Sequence, residues 1–178
     1  MLAGRRVNLR RIEKADLWQL WSWHEERDLY LFLKIRPFVS YDQLNERFAE
    51  YFAWKGDFLI ENDAGRALGV CSYQPVAWKN RFCELGLQIC ESDPDQVYAL
   101  DTLSTLLGFL FGEMNLSRVQ AFVAEFACHE ISAFEKAGFL LEGRLREHLF
   151  REGMYRDLLI YAMLREDFGN TPAGRWQV

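Results

Sequence analysis

The chain has little of what would mark a secreted, membrane-spanning or nucleic-acid-binding protein. Its four cysteines, Cys71, Cys83, Cys90 and Cys128, form no C-x-x-C pair and have no histidine at ligand spacing. That argues against zinc knuckles and disulfide frameworks and for reduced, buried thiols. The three histidines, His24, His129 and His148, are scattered, so no metal site is expected. No apolar run approaches the roughly 20 residues of a membrane span. No charged-then-apolar N-terminal segment ends in a small-residue cleavage site. A cytoplasmic protein without a membrane partner is the expectation. Basic charge is also short: 21 Lys and Arg stand against 26 Asp and Glu, a net charge of -5, so a nucleic-acid surface is not expected. One absence is local, for between Leu87 and Gly108 there is no glycine at all.

What is present is apolar and well mixed. Hydrophobic residues make up 50% of the chain and aromatic residues 15%, enough for 178 residues to bury one substantial core. Residues 1–168 read as a single domain. Residues 169–178, where Gly, Asn, Thr and Pro cluster, read as a flexible tail.

Periodicity gives the element order. Residues 5–9 alternate as a half-buried strand does, and Asp16 is placed to N-cap a helix carrying Leu17, Leu20 and Trp21. An aromatic connection over residues 29–38 leads to a helix striped with Leu44, Phe48, Tyr51 and Phe52. Trp18, Trp21, Trp23, Phe32 and Phe38 could wall a ligand site or simply fill the core. Residues 58–61, 67–73 and 82–89 read as an antiparallel meander, with turns at 62–65 and 79–80. An amphipathic helix follows, with Leu100, Leu103, Leu107, Leu110, Phe111 and Met114 on its stripe and Asp101 in its first turn. Then come a strand at 119–123, a helix over 130–137 closed by Gly138, and a hairpin of 144–150 with 155–163.

Within this order the stretch 84–114 is the centre of interest. Strand, turn and helix in succession aim backbone N–H groups at a helix N-terminus, where an anion can be held. Yet the turn offers Glu91, Asp93 and Asp95 and no glycine.

Four short motifs stand in series in the second half: Asn115-Leu116-Ser117-Arg118-Val119, Phe134-Glu135-Lys136-Ala137-Gly138-Phe139, Glu142-Gly143-Arg144-Leu145-Arg146, and Gly153-Met154-Tyr155-Arg156-Asp157 running on to Tyr161. With the element order they resemble the GNAT superfamily of acyl-CoA-dependent N-acyltransferases, in the branch containing ribosomal-protein N-terminal acetyltransferases. The resemblance implies an α/β (α+β) fold, a mixed sheet of six or seven strands splayed between the strand at 84 and the one at 118, with about four helices. It implies acetyl-CoA as acyl donor, its pantetheine arm lying along the exposed strand edge at Leu87 and Ile89. Gln96, Val97, Tyr98 and Ala99 would hold its diphosphate, and Phe134 would lie beside it. An amine of a small molecule or a protein N-terminus would be the acceptor, attacking the thioester directly. Monomer and homodimer both remain open.

Glu84 matches the strand carboxylate some members use as general base, and could equally be an edge residue in a cross-strand pair. The tyrosine many members use as acid falls on Phe134, which has no proton to give. Tyr155, Tyr161 or a water could replace it, and Tyr155 is the candidate carried forward. The diphosphate turn falls on Pro94-Asp95-Gln96-Val97-Tyr98-Ala99, where Val97 stands in place of glycine and Asp95 brings a like charge. At an effective dielectric of about 20, a carboxylate ~5 Å from a phosphate charge costs about 3 kcal/mol. Ala127 replaces a common asparagine. These departures keep two alternatives alive: a non-catalytic binding or regulatory protein of this fold, and an enzyme taking a different acyl donor in the same cleft.

Overall fold

The computed structural model describes residues 1–27, 40–52 and 56–175. The aromatic connection with Phe32 and Phe38 lies outside them. The elements in chain order are β1 (Leu2–Ala3), β2 (Val7–Arg11), α1 (Leu17–Arg27), α2 (Tyr41–Glu46), α3 (Phe48–Phe52), β3 (Asp57–Asn62), β4 (Ala67–Ala77), β5 (Phe82–Ile89), α4 (Val97–Gly108), β6 (Arg118–Ala124), α5 (Cys128–Ala137), β7 (Leu140–Arg151), β8 (Met154–Leu164), α6 (Arg165–Phe168) and α7 (Pro172–Arg175). The strands form one eight-stranded sheet, ordered β1-β2-β3-β4-β5-β6-β8-β7. The class is the expected mixed α/β one. The extra strand is the two-residue β1, which pairs Leu2 with Leu9 and is too short to show a periodicity.

Alternation along the strands divides the core. Val7, Leu9, Ile60, Cys71, Cys83, Leu85, Leu87 and Ile89 share one cluster with the stripes of α4 and α5, while Leu59, Val70 and Cys90 share another with Leu17, Leu20, Trp23 and Leu44. The sheet is thus covered on both faces, as a strand with period two requires. Trp23 is core, Trp18 is exposed, and Trp21 lies 5.3 Å from the Trp18 ring. The three buried cysteines are inert, Cys83 being pushed up to about 12 by burial and by the neighbouring Glu84 charge. Cys128 is exposed.

Several local expectations shift. Asp16 ends a 3-10 turn over Lys14–Asp16, N-capped by Glu13, that runs into α1; its carboxylate accepts from the Glu13 N–H at 2.8 Å and takes two 2.8 Å bonds from the Arg10 guanidinium. The stripe at 44–52 is broken into two short helices at Arg47, whose φ of -99° and ψ of 17° leave the helical region. Asp101, in the first turn of α4, does more than complement the dipole. It is 2% exposed and accepts hydrogen bonds from the backbone N–H groups of Arg5, Arg6 and Val7 at 3.2, 2.6 and 3.0 Å. One carboxylate therefore fixes the start of β2 to the helix that frames the site. The Ser104 hydroxyl donates to the Ala173 carbonyl at 2.6 Å, and Ala173 is buried. Among the described residues, no helix is long and apolar enough to cross a membrane.

Replacing Asp101 with alanine leaves three backbone donors without their acceptor. The Asp101→Ala protein is expected to lose about 3 kcal/mol of stability, read as a lower urea midpoint at unchanged slope; a loss below about 1 kcal/mol would mean that water substitutes for the carboxylate.

Candidate functional site

The site begins where two parallel strands part. β5 and β6 are joined over only three residue pairs, Phe82 with Arg118, Cys83 with Val119 and Glu84 with Gln120. Beyond Glu84, β5 stays on β4 through to the pair Gly69–Ile89, and β6 stays on β8 through to the pair Ala124–Leu158. Residues 85–89 thus keep one partnered edge and one edge facing the gap. Such an edge pairs readily with the amides of an extended ligand. Glycine at 69 is required here, because a Cβ would come within 2.2 Å of the Gln88 carbonyl oxygen.

The open end of the split is a cleft of about 680 Å³, lined on the β5 side by Gln88, Ile89, Glu91, Ser92, Asp93 and Pro94 and on the α5 side by residues 126–130. That volume suits a small-molecule cofactor. Among the described residues its lining includes Glu91, Asp93 and Glu130 and neither Lys nor Arg. Arg66 pairs with Glu91.

The turn leading into α4 is held from within. The Cys90 and Glu91 N–H groups both donate to the Leu68 carbonyl, at 2.8 and 3.1 Å, and the Gln96 N–H donates to Asp93 O at 3.0 Å. Gln96 then turns left-handed, φ 60° and ψ 26°, to start the helix. The side chain of Asp93, buried at 6% exposure, accepts from the N–H groups of Tyr98 at 3.2 Å and Ala99 at 2.9 Å. Two of the amides that a helix N-terminus would offer an anion are therefore taken by a carboxylate of the same chain.

Hydrogen bonds also cross the cleft. Gln88 Nε2 donates to Glu130 Oε1 at 2.8 Å, Gln96 Nε2 donates to the His129 carbonyl at 2.9 Å, and the Ser132 hydroxyl donates to Gln96 Oε1 at 3.2 Å. His129 Nε2 lies 3.0 Å from Asp93 O. The two walls are latched near the N-terminus of α5.

The candidates from sequence fall into three groups. Glu84 sits at the vertex of the split, half-buried, on the last residue pair before the strands part. Leu87 and Ile89 turn their side chains into the core and leave backbone along the gap, while Gln96, Val97, Tyr98 and Ala99 form the turn and first helical residues as expected. The left-handed residue is Gln96, not Val97. Asp95 is exposed, so the carboxylate that matters at the helix is Asp93. Phe134 is 2% exposed and packs on Phe139 and Tyr161.

Tyr155 is not brought to Glu84. It is 64% exposed beside Phe150 near the β7–β8 turn, and the register through Gln120 and Ala162 leaves it roughly 20 Å further along β8. Tyr161 is buried, with its hydroxyl donating to Glu135 at 2.9 Å; burial and that carboxylate push it up to about 12. The bonds that Asp93 and His129 make, the one seen in sequence only as an acidic turn residue and the other only as a scattered histidine, are set by the fold. Asp-Pro before a helix is a turn signal that could have pointed to the first, whereas His129 carries no such mark. Among the described residues, no group of three or more His, Cys, Asp or Glu could hold a metal ion.

These elements, a split parallel pair beside a helix N-terminus, match a family model described as "Acetyltransferase (GNAT) domain" over residues 6–140. The chain belongs to the GNAT acetyltransferase family. Its class of activity is transfer of an acetyl group from acetyl-CoA to an amine. Spermidine N(1)-acetyltransferase of Vibrio cholerae is 22% identical over 166 residues, covering 92% of this chain and 96% of that protein. A putative ribosomal N-acetyltransferase of Bacillus subtilis is 28% identical over 104 residues, covering 58% of this chain and 57% of its own. A crystal structure of the Vibrio cholerae spermidine N-acetyltransferase in complex with CoA and spermine superposes with a TM-score of 0.77 at 22% identity, covering 91% of this chain and 97% of that one. Another, of mutant forms of the spermidine/spermine N-acetyltransferase from the same organism, reaches 0.79 at 23% identity, covering 92% and 96%.

The residues present fit the two ends of this donor unequally. The gap and its strand edge suit the pantetheine arm, while the diphosphate end meets Asp93 on the helix amides and an acidic lining.

A proton held by Glu135 is not free for catalysis. Tyr161→Phe is expected to leave acetyl transfer within about twofold of wild type. Its effect lies in stability: the folded value of about 12 exceeds the ordinary 10.0, so the hydroxyl's contribution is whole below pH 10 and lost as pH rises toward 12. Urea midpoints from pH 8 to 11 should fall for wild type above pH 10 and fall less for Tyr161→Phe.

Proposed function

We propose that this protein N-acetylates a small-molecule amine, with Glu84 as the group that receives the amine's proton. The observation that carries the reading is the position of Glu84. Its carboxylate stands on the last paired residue before β5 and β6 separate, beside the vertex where an extended donor entering the gap must present its reactive end. The preceding neighbour, β4, is irregular across from it, with the register shifting between Tyr73 and Val76.

The division of labour follows from this geometry. The edge of residues 85–89 aligns the donor, and Glu84 accepts the proton released as the C–N bond forms, directly or through water. Neither Phe134 nor Tyr161 supplies an acid. An ordinary thiol ionises near 8.5, so the C–S bond can break to a thiolate that takes its proton from water.

The acceptor class rests on the spermidine acetyltransferase, which matches along nearly its whole length, whereas the ribosomal-type relative matches over little more than half. A cationic polyamine also suits a chain of net charge -5 better than an acidic acceptor would. We take a polyamine or similar aliphatic amine as the first substrate to test.

Steady-state acetylation of spermidine, spermine and a simple primary amine should be compared with that of a ribosomal-protein N-terminal peptide. Glu84→Gln is expected to lower kcat by about 10²–10³-fold with little change in KM for the donor. Preference for the peptide would overturn the substrate class, and an unaltered kcat in Glu84→Gln would overturn the assigned base.

A further inference from the structure

We propose that Asp93 sets which part of the acyl donor this cleft recognises. By occupying the helix amides itself, it makes the site grip the pantetheine arm and forgo the diphosphate. The assignment rests on the acetyltransferase reading above and goes a step beyond it.

Three observations meet at this residue. First, the carboxylate is an internal anion at the place where an external one would bind. Both of its oxygens are engaged, by Tyr98 N–H at 3.2 Å and by Ala99 N–H at 2.9 Å, and the side chain is buried. A phosphate oxygen seeking the same amides must expel Asp93 or lie against its charge. Second, the turn cannot easily swing away. Asp93 O accepts from Gln96 N–H and lies 3.0 Å from His129 Nε2, while Gln96 is itself tied to the His129 carbonyl and to Ser132. Moving the Asp93 backbone means breaking the latch between α4 and α5. Third, among the described residues the cleft lining adds Glu91, which is paired with Arg66, and Glu130, and it includes neither Lys nor Arg.

None of this touches the pantetheine side. The free edge of residues 85–89 is set by the β5–β6 register and does not depend on residue 93. The donor class is thus a pantetheine thioester recognised by its amides, with the nucleotide end contributing little. A pantetheine thioester lacking the adenosine diphosphate should serve nearly as well as acetyl-CoA.

Calorimetric titration of the full chain with CoA and with pantetheine tests this directly. Wild type is expected to bind CoA no more than about tenfold more tightly than pantetheine; a larger preference overturns the proposal. Asp93→Asn removes the charge and keeps one of the two accepting oxygens, and Asp93→Ser is a second, smaller uncharged variant should the first fail to fold. Either should tighten CoA by about tenfold and leave pantetheine unchanged, and the gain should shrink in high salt. An unchanged ratio of the two affinities, or a weaker one for CoA, overturns the proposal. If wild type bound neither ligand, the proposed function would fall together with this assignment. If both bound and position 93 made no difference, only the role of Asp93 would fall.

Discussion

The parallel pairing of β5 with β6 stops after three residue pairs, and the rest of the molecule is arranged around that interruption. Strand edges left unpaired inside a sheet are costly, because their N–H and C=O groups have lost a partner that burial would normally supply. Here each strand keeps its other neighbour for several residues more, β4 for one and β8 for the other. The gap is therefore a property of the register and not of local disorder. What holds it open is packing on the α4 and α5 side, where Leu103, Leu106 and Leu107 of α4 and Ala133 and Phe134 of α5 are all buried in the same cluster as Leu85, Leu87 and Ile89. Asp101 then fixes α4 to the start of β2, so the helix over the split cannot drift from the sheet that carries Glu84.

Much of this frame could be read from the chain because it rests on periodicity. The alternation at 82–89 and the three- and four-residue spacing through Leu100, Leu103, Leu107 and Leu110 are repeated signals, and their order matched a known arrangement. What stayed hidden depends on single side chains acting at a distance. Asp101 looked like a dipole partner because its sequence neighbours are helical, yet its bonds go to residues 94 to 96 positions away. Asp16 looked like a cap by position, and only the fold shows the 3-10 turn over Lys14–Asp16 ahead of α1 and the bonds from Arg10 to the Asp16 carboxylate. β1 and the docking of Ala173 on Ser104 are too short to leave a pattern.

The candidate site divides along the same line. Glu84 became a candidate through the resemblance to the acyltransferase family, and the register puts it on the last residue pair before the strands part. Tyr155 was not testable in sequence, since a hairpin places residues by register: Phe150 faces Tyr155 near the turn, while the part of β8 nearest Glu84 carries Ala162. Phe134 and Tyr161 are both buried and stacked on one another. They build the floor of the core beneath α5, and the hydroxyl that survives there is committed to Glu135.

A helix N-terminus can satisfy its first amides with its own chain or with a ligand, and the choice has consequences for both. An internal carboxylate stabilises the helix whether or not ligand is present, so α4 is complete in the free protein and the framing of the gap does not wait for donor. A bound diphosphate would stabilise it only when bound, leaving helix order linked to occupancy. The second arrangement favours tight donor binding, the first a preformed cleft with weaker hold on the nucleotide. In this chain Asp93 belongs to the first arrangement, and the absence of glycine between Leu87 and Gly108 is consistent with it. A turn that must bring its own carboxylate inward needs a short acidic side chain before the helix, whereas one that must admit two phosphates against bare backbone needs the space glycine leaves.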